Sequence, residues 1–544
     1  MSAAQGDSSP QLSRAPEMLA FLGSAASYAH RPKSVTVLQT HVSYVALAGA
    51  FVYKVKKPVN LGFADFSTLE KRRHFTHREV ELNRLLCPAI YLGVVPIVWR
   101  GNTLAFADGA SGDIVDYAVR MHRLDERFLL RTLIEAGTVT TGDLDRVAAV
   151  LASFCLRQAR GPAVLAFGQP AQIRDLVETN LKEAAPFVDR VLSNGTYTAL
   201  QLFFERWLKT HAELLAARVR LGRIYDGHGD LRPEHIHLGP HSVCIFDCVE
   251  FNDRFRCCDA ACDLAFLAME LDFAQRRDLT RYFVQRMTDA LSDPQMAMLL
   301  PFYQCYRAVV RGKVSAIAAD ASEFPETQRA PTRDRARRYM QLALTYAVTA
   351  GRPLALAIGG RIATGKSTLA NGLAECLGWR IISSDWTRKE LAGLPPTERP
   401  SPEVRKTLYT PSMSERTYRK LFESAAAELR EGRSVILDAT FGRRTYRDQL
   451  AAIASSNAAD RIFIELTCPD EWIRTRLQER DQQSGVTSDA RLEDFDQVGT
   501  AYQEPSELGA DGLIRADGTV RLGEQILTLL CQLIEQQFES RKRA

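Results

Sequence analysis

One stretch of the sequence has the residue types and spacing of a phosphate-binding loop. Residues 360–367, GRIATGKS, match the pattern G-x-x-x-x-G-K-[ST] at every fixed position. Backbone N–H groups at a helix N-terminus attract anionic oxygens, and Lys366 would reach the β- and γ-phosphates as a catalytic residue while Ser367 would bind Mg²⁺. The positions predicted to contact ATP are Gly360, Thr364, Gly365, Lys366, Ser367 and Thr368.

The residues on either side place this loop between a strand and a helix. Residues 354–358, LALAI, form a short apolar run that is typical of a buried strand. Leu369, Leu373 and Leu377 then recur at helical spacing. A glycine-rich surface turn is the alternative interpretation, but the flanking strand and helix favour a phosphate site.

Two further aspartates follow apolar runs in the same part of the chain. Asp385 ends residues 380–385 and Asp438 ends residues 434–438, SVILD. Ligands bind at the carboxyl ends of parallel strands. We therefore predict that Asp385 is the general base for an acceptor hydroxyl and that Asp438 orients Mg²⁺ through Ser367. Asp385 could also cap the next helix, a role compatible with catalysis.

Arginines near these acids are candidates for phosphate or substrate contacts. Arg388 follows Asp385 by three residues, and Arg443 and Arg447 follow Asp438. Guanidinium groups bind phosphate oxygens in pairs. All three are predicted substrate contacts, although a solvent-facing role is the alternative for Arg443 or Arg447.

A predicted helix over residues 471–480 carries two arginines on one face. Arg476 and Arg480 are four residues apart and precede a polar loop at residues 482–489. This pattern is typical of a lid that closes over the γ-phosphate, and we predict that both arginines contact the nucleotide. A solvated basic face is the alternative.

A lysine and a glutamate in the first half of the chain have the order found in the small lobe of kinases. Lys54 lies in a predicted strand, residues 51–55, and Glu79 lies in the helix that follows. In kinases such a pair holds the α- and β-phosphates. A basic strand end followed by an amphipathic helix is common, so this pair alone does not decide the function.

A second catalytic pattern lies in the middle of the chain. Residues 225–236, YDGHGDLRPEHI, and residues 243–247, VCIFD, resemble the H-G-D-x-x-x-x-N segment and metal-binding strand of aminoglycoside phosphotransferases and the wider protein-kinase-like fold. The resemblance implies that Asp230 deprotonates an acceptor hydroxyl and that Asp247 holds Mg²⁺. It also implies that Asp259 and Asp263 brace this lobe, and it supports the nucleotide role of Lys54 and Glu79.

The chain departs from that family at one metal position. His235 stands where the family has asparagine, and neutral imidazole is a poorer Mg²⁺ ligand than an amide oxygen. Either Asp247 holds a single Mg²⁺ or transfer in this region is slow or lost. His235 remains a candidate metal ligand. Zinc binding by the nearby histidines and cysteines is a further alternative, but their spacing does not converge.

The resemblances together cover nearly the whole chain. Residues from 354 to about 537 look like P-loop kinases that include gluconate kinase and zeta toxin, and residues 53–59 and 63–69 resemble the first domain of the two-domain family. The order resembles bacterial bifunctional aminoglycoside phosphotransferase and ATP-binding proteins. We therefore expect a disordered segment at 1–15, an α+β protein-kinase-like bilobal domain at 16–349, and an α/β P-loop domain of AAA type with a parallel sheet at 350–544.

Composition limits the other classes of function. The chain has 544 residues and a formal net charge of +4, which gives no reason to expect nucleic acid or a membrane surface as a partner. The N-terminus lacks a signal-peptide pattern, so a cytoplasmic location is predicted. Eleven cysteines in such a chain predict reduced thiols. Residues 320–337, which contain Pro325 and Pro331, are predicted to form a loop.

These patterns predict an ATP- and Mg²⁺-dependent phosphotransferase with two nucleotide sites that acts on hydroxyl groups of small molecules. One alternative is that the first domain is an inactive sensor of a ligand or nucleotide. Another is that the P-loop domain is an ATPase without an acceptor. Neither the acceptor's identity nor the oligomeric state follows from the residues.

Overall fold

The computed structural model describes residues 15–107, 112–321, 325–395, 398, 400–481, 491–495, 502–509 and 511–543. The packing divides the chain into two compact units. Unit 1 comprises Met1–Ile173, Glu213–Ala274 and Leu279–Ala297, and unit 2 comprises Arg174–Ala212, Gln275–Asp278 and Met298–Ala544. The predicted domain limits stay a prediction, and the predicted disorder at 1–15 falls almost entirely outside the described residues.

The strands of the described residues belong to four sheets. Their bounds are β1 Val35–Gln39, β2 Ser43–Ala48, β3 Phe51–Lys56, β4 Tyr91–Arg100, β5 Thr103–Phe106, β6 Asp113–His122, β7 Ile224–Asp226, β8 Ile236–Leu238, β9 Val243–Ile245, β10 Cys257–Asp259, β11 Leu354–Gly359, β12 Arg380–Ser383, β13 Val435–Asp438, β14 Asp460–Thr467 and β15 Leu513–Asp517.

Helices form most of the remaining described chain. Their bounds are α1 Ala15–Gly23, α2 Leu69–Arg84, α3 Leu130–Glu135, α4 Thr141–Arg157, α5 Pro162–Ala166, α6 Pro170–Ala184, α7 Asn194–Thr210, α8 Ala212–Arg220, α9 Asp253–Arg256, α10 Ala260–Phe273, α11 Arg277–Ala290, α12 Met296–Asp320, α13 Glu326–Thr349, α14 Lys366–Leu377, α15 Ser384–Leu391, α16 Pro402–Leu408, α17 Pro411–Arg430, α18 Arg444–Ser456, α19 Asp470–Asp481 and α20 Leu522–Arg543.

Unit 1 contains a six-stranded antiparallel sheet in the order β1-β2-β3-β6-β4-β5. Strands β2 and β3 form an antiparallel hairpin across a turn in which Gly49 has a φ of +63°. One face packs on an apolar core that includes Phe21, Tyr28 and Tyr53. Because side chains alternate along a strand, Lys54 and Lys56 of β3 lie on the same face.

Unit 1 also contains two small antiparallel pairs, β7 with β10 and β8 with β9. The turn Pro233–His235 is one turn of 3-10 helix between β7 and β8. These short pairs place the segment around residue 230 and the segment that follows β9 close to each other. The helix α10, almost wholly buried, packs behind β10.

Unit 2 contains a five-stranded sheet in the order β12-β13-β11-β14-β15, and every described pairing is parallel. The predicted parallel sheet is therefore confirmed. The strands β11 and β13 are buried along their whole length, as expected where helices cover both faces of a sheet. Helix α20 packs on α7, α13 and α14 in the same unit.

The predicted loop at 320–337 is wrong for most of its length. Helix α13 begins at Glu326, with Pro325 as its N-cap and Pro331 inside it. A proline near a helix start removes only one backbone hydrogen bond. The buried face of α13, which includes Tyr339, Met340 and Ala343, offsets that loss.

The prediction of reduced thiols is wrong for one pair. Cys87 and Cys244 form a disulfide across 157 residues of sequence, with their Cα atoms 4.9 Å apart. The pairing depends on the tertiary contact between the end of α2 and β9, which local sequence does not reveal. Separately, no helix among the described residues is both long enough and apolar enough to cross a membrane.

Candidate functional site

The phosphate-binding loop of unit 2 has a backbone that requires glycine. Residues 360–365 connect the end of β11 to the start of α14. Gly360 has a φ of +130°, and a Cβ atom there would lie 2.3 Å from the carbonyl oxygen of Leu466. Gly365 has a φ of +105°. The loop backbone therefore lies at the end of the sheet in a conformation that residues other than glycine at positions 360 and 365 would disfavour.

Lys366 and Ser367 of the loop each contact a protein oxygen. Bound phosphate or metal would take the place of these contacts. Lys366 Nζ donates to the carbonyl oxygen of Arg361 at 2.6 Å. Ser367 Oγ donates to Asp438 Oδ2 at 2.7 Å. Burial raises the pKa of Asp438 and the charge of Asp385 adds to this, while Ser367 and Lys366 act in the opposite direction. A carboxylate beside a P-loop hydroxyl fits a Mg²⁺ site in its donor chemistry.

Asp385 lies at the same end of the sheet. The register of β12 on β13 pairs Ser383 with Asp438, so Asp385 emerges beside Asp438. The N-cap of α15 is Ser383, so the alternative role of Asp385 as that cap is wrong. Arg388 Nη1 donates to Asp385 Oδ1 at 3.2 Å, and its guanidinium lies 4.5 Å from the centre of the Tyr409 ring.

The other predicted substrate arginines occupy different positions. Arg443 precedes α18 as its exposed N-cap residue. Arg447 is buried, and all five of its N–H donors contact Glu507, the carbonyl oxygen of Phe441 and the carbonyl oxygens of residues 503 and 504. Arg447 thus joins the loop after β13 to residues 503–507, and no donor remains for a substrate in this structure.

Arg476 contacts the backbone of the phosphate-binding loop. Its Nη1 donates to the carbonyl oxygen of Thr364 at 3.0 Å, and its Nη2 donates to that of Gly518 at 2.8 Å. Thr364 itself is buried and donates to the carbonyl oxygen of Arg361, whereas Thr368 is an exposed residue of α14. The Arg480 side chain and residues 482–490 lie outside the described residues, so the predicted lid stays a prediction.

Sequence reasoning missed Gly518, which follows β15. A Cβ atom at Gly518 would lie 2.4 Å from the carbonyl oxygen of Thr364 and 3.0 Å from that of Thr467. Its N–H donates to Thr467 at 2.7 Å. The Asp-Gly pair at the end of an apolar run was the signal that could have indicated a turn at this edge of the sheet.

Unit 1 brings Lys54, Glu79 and Asp247 together. Lys54 Nζ lies 2.9 Å from Glu79 Oε1 and 2.6 Å from Asp247 Oδ1. Burial would lower the pKa of Lys54, but Asp247 and Glu79 outweigh it and raise the pKa well above its usual value. Burial would raise the pKa of Asp247, but Lys54, His235 and Arg232 together outweigh it and hold the pKa well below the usual range. All these groups are therefore charged at neutral pH.

A second lysine, which the sequence did not single out for chemistry, shares the same glutamate. Lys56 Nζ contacts Glu79 Oε2 at 2.7 Å and also pairs with Glu250. Lys56, Glu79 and Glu250 are all buried. Glu79 therefore bridges two lysines, each of which reaches the segment that follows β9.

The structure explains residues 63–69, for which the sequence suggested no chemistry. Phe66 is buried, and the Lys56 ammonium lies 4.9 Å from the centre of its ring. Its carbonyl oxygen accepts from Arg72, which is buried. Thr68 caps α2 by accepting from the N–H of Lys71. This segment therefore fixes the start of the helix that carries Glu79.

Asp230 lies in a turn that Asp263 holds. Asp263 accepts from the N–H groups of His228 and Gly229 at 2.8 Å and 2.9 Å and from the Tyr225 hydroxyl at 2.9 Å. The predicted bracing by Asp263 is confirmed, and Asp259 pairs with Arg218 in the same lobe. Asp230 is partly exposed, so its carboxylate is accessible at the turn.

Two charged or titratable side chains surround Asp230. Arg232 Nε lies 2.9 Å from Asp230 Oδ1. His235 Nδ1 lies 2.9 Å from the carbonyl oxygen of Asp230, and His235 Nε2 lies 3.5 Å from Asp247 Oδ2. The imidazole therefore stands between the predicted base and the predicted metal ligand.

The donor set in unit 1 provides part of a metal site. Asp247 and His235 supply a carboxylate and an imidazole, a pair that fits a divalent cation when nucleotide phosphates supply further ligands. Among the described residues, no group of three His, Cys, Asp or Glu side chains is arranged to hold a metal ion unaided.

Comparison with known proteins gives matches to both sequence and structure. Residues 356–505 match a family model described as an AAA domain. The uncharacterized protein Rv2004c of Mycobacterium tuberculosis is 34% identical over 436 residues, which cover 80% of this chain and 83% of that protein. The family match and the loop geometry show that unit 2 contains a P-loop domain.

Two solved structures are similar to parts of this chain. A gluconokinase from Sinorhizobium meliloti is 18% identical with a TM-score of 0.27, over 35% of this chain and 98% of that chain. A choline kinase from Cryptosporidium parvum is 13% identical with a TM-score of 0.35, over 58% of this chain and 92% of that chain.

Proposed function

The chain belongs to the same family as the Mycobacterium tuberculosis protein Rv2004c, and we propose that it is an ATP-dependent phosphotransferase with two nucleotide sites. Each compact unit would contain one site and would transfer the γ-phosphoryl group of ATP to a hydroxyl of a small molecule. Unit 1 would be a protein-kinase-like domain similar to aminoglycoside phosphotransferases, and unit 2 would include a P-loop kinase. The predicted cytoplasmic location and the absence of nucleic-acid and membrane partners stay predictions.

One observation carries this proposal. Each unit brings a lysine, a strand-end aspartate and a second aspartate to one place. These are Lys366, Asp438 and Asp385 in unit 2 and Lys54, Asp247 and Asp230 in unit 1. Phosphoryl transfer requires positioning and charge neutralisation more than covalent catalysis, and such a set supplies both.

In unit 2, the residues would act on the two sides of the transferred group. Bound ATP supplies the phosphoryl group, and Mg²⁺ held by Ser367 and Asp438 supplies positive charge. The oxygen of the acceptor hydroxyl would bond to the γ-phosphorus, and the bond from that phosphorus to the β,γ-bridging oxygen would break. Asp385 would accept the proton that the hydroxyl loses. Lys366 would neutralise charge on the oxygens of the β- and γ-phosphates. Arg388, already bonded to Asp385, would orient the base.

In unit 1, the ion pairs would position the same chemistry. Glu79 would hold Lys54 against the phosphates, since the buried Glu79 pairs with the partly buried Lys54 and with Lys56. Asp247 would hold the metal ion and Asp230 would deprotonate the acceptor. Arg232 Nε lies 2.9 Å from Asp230 Oδ1 and His235 Nδ1 lies 3.5 Å from Asp230 Oδ2, so both side chains would help to position this carboxylate.

The test is product formation by two single variants. Purified wild-type, Asp230→Asn and Lys366→Ala proteins would be incubated with ATP and a panel of sugars, nucleotide-sugars and aminoglycosides, and the products identified by mass spectrometry. We expect each variant to lose a different phosphorylated product. Lys420→Ala, which changes an exposed lysine of α17, should keep both products. Loss of every product from either variant alone would contradict two independent sites.

A second candidate function is that unit 1 is a sensor and only unit 2 catalyses. The observation that favours it is that Lys54 is bonded to Asp247 and Asp230 is bonded to Arg232, while His235 replaces the family's asparagine. If this is so, His235→Asn should raise turnover or Mg²⁺ affinity of unit 1. No change in either quantity would count against the sensor hypothesis.

A further inference from the structure

The disulfide between Cys87 and Cys244 joins the two segments that carry the charged network of unit 1. Cys87 follows the helix α2, which carries Glu79. Cys244 lies on β9, the strand that leads to Asp247. Both carboxylates contact the same ammonium group, since Lys54 Nζ lies 2.9 Å from Glu79 Oε1 and 2.6 Å from Asp247 Oδ1. The bridge therefore fixes, by a covalent bond, the two segments whose carboxylates hold one lysine.

The two ends of α2 are attached to different parts of unit 1. At its start, Arg72 Nε lies 3.0 Å from Asp116 Oδ1, which attaches this end to β6 of the antiparallel sheet. At its other end, the bridge attaches the helix to β9, and Asn83 Oδ1 accepts from the N–H of Cys248 at 2.9 Å. Glu79 lies between these attachments, so its position depends on both of them.

The bridge lies where a reductant could reach it after a local opening. Both of its cysteines are buried, but Cys87 belongs to the turn between α2 and β4, and Leu85, Pro88 and Ala89 of this turn are exposed. Turns open at a lower free-energy cost than core strands do. The two cysteines also share an apolar cluster with side chains of α2, β4 and β6. This packing would keep the thiols near each other after reduction, so the bridge could form again.

We propose that the bridge between Cys87 and Cys244 is a redox switch that controls nucleotide binding by unit 1, with the oxidised form as the binding-competent state. The inference rests on the proposed nucleotide site of unit 1. One thiolate of a dithiol reductant would bond to a sulfur of the bridge as the bond between the cysteines breaks, and its second thiol would then displace that sulfur. Two electrons and two protons pass to the protein, which gains two thiols, and the reductant becomes a disulfide. In the reducing compartment predicted for this chain, disulfides are usually transient or redox-sensing.

Reduction should loosen Glu79 without changing any charge in the site. The hydrogen bond from the N–H of Cys248 to Asn83 would remain, so α2 would stay folded but its end would be held less firmly. Glu79 would then hold Lys54 in a smaller fraction of molecules, and nucleotide binding would have to restore that pair. We therefore expect weaker nucleotide binding in the reduced form, by about tenfold, a size typical of coupling between two sites.

The test is the affinity of unit 1 for a non-hydrolysable ATP analogue with Mg²⁺, measured by isothermal titration. The full chain would carry Lys366→Ala so that the P-loop site does not bind the analogue. Protein reduced with dithiothreitol should bind about tenfold more weakly than oxidised protein, and oxidised glutathione should restore the affinity. Cys87→Ala should bind weakly under both conditions. Cys258→Ser, which changes a half-buried free cysteine of unit 1, should keep the full response.

Two measurements on the same samples show what reduction has changed. Alkylation followed by mass spectrometry gives the redox state of Cys87 and Cys244, and hydrogen exchange should become faster at the end of α2 but not in the parallel sheet of unit 2. Equal or tighter binding after reduction, or a bridge that cannot be opened and formed again in the folded protein, would overturn the inference alone. No binding of the analogue in either redox state would overturn both the inference and the proposed site of unit 1.

Discussion

Arg447 and Lys366 differ in the groups that their side chains contact. Arg447 uses all five N–H donors within unit 2, whereas Lys366 donates to one loop carbonyl that bound phosphate could replace. Lys366 was predicted to contact phosphate because it is the lysine of the phosphate-binding motif, whereas Arg447 was predicted to contact a ligand because it follows Asp438. The saturated donors of Arg447 give it a structural role instead.

Replacing Arg447 with lysine should destabilise unit 2. Lysine cannot reproduce the paired contact with Glu507 or reach the carbonyl oxygens of Phe441 and residues 503 and 504, so the buried charge at position 447 loses most of its partners. Breaking such a pair costs about 3–5 kcal/mol. Urea denaturation would measure the change. Arg444→Lys, at an exposed position, should change stability little, and equal effects of the two variants would contradict this role.

Lys56→Met should destabilise unit 1 and loosen Glu79. The change leaves Glu79 with one lysine and removes the lysine partner of Glu250, and an uncompensated buried charge costs about 3–5 kcal/mol. Hydrogen exchange followed by mass spectrometry should show faster exchange in α2. Lys57→Met is the matched control, because Lys57 is only half-buried and its ammonium lies over Tyr44. Unchanged exchange in α2 would show that Lys54 alone holds Glu79.

At the scale of elements, the carboxyl end of the parallel sheet carries the predicted chemistry of unit 2. β11 leads to the phosphate-binding loop, β13 ends in Asp438, and β12 leads to Asp385. The turn after β15 closes on the same loop through Gly518. Elements far apart in sequence thus meet at one edge, as in other parallel sheets.

Gly518→Ala should weaken nucleotide binding by unit 2 without changing any side chain that contacts phosphate. The added Cβ would lie 2.4 Å from the carbonyl oxygen of Thr364, and relieving such overpacking costs about 1–3 kcal/mol. Titration with ATP would measure affinity. Gly523→Ala, where a Cβ meets no atom within 4 Å, should leave affinity unchanged. Normal affinity in Gly518→Ala would show that the loop accommodates the methyl group.

Glu428→Gln should destabilise unit 2 at neutral pH but less at low pH. Burial would raise the pKa of Glu428, yet Arg433 and Arg380 outweigh it and lower the pKa below 4.5. A lowered folded-state pKa stabilises the protein above pH 4.5, and this contribution is lost as pH falls through the folded value. Thermal unfolding from pH 3 to 7 would test this. Glu423→Gln, on the exposed face of α17, should show a much smaller pH dependence.

At the scale of the whole molecule, the two compact units each contain a candidate nucleotide site. The units interleave along the chain, since residues 174–212 and 298–349 pack with the P-loop domain. A sequence boundary near residue 350 marks where the P-loop pattern begins. The helices within residues 174–212 and 298–349 carry no sequence pattern that shows to which unit they belong.

The wild-type chain should bind two equivalents of a non-hydrolysable ATP analogue. Lys54→Met should bind one equivalent, at the site of unit 2, and Lys366→Ala should bind one equivalent, at the site of unit 1. Each substitution should remove only one site because the two lysines have separate contacts. Isothermal titration would give the stoichiometry. The double variant should bind none. If the wild type binds only one equivalent, and Lys54→Met still binds it, unit 1 does not bind the nucleotide.

The sequence by itself determined the phosphate-binding loop, the strand and helix on either side of it, and Asp438 at the end of its strand. These features depend on residues close together in the chain, whose periodicity and turn chemistry act locally. The tertiary structure alone decided that Lys56 and Glu250, 194 residues apart, meet, that Cys87 pairs with Cys244, that Arg447 is saturated and that Gly518 supports the loop. Such contacts depend on the pairing of distant elements, because packing and charge compensation in the interior are set by which segments the fold brings together.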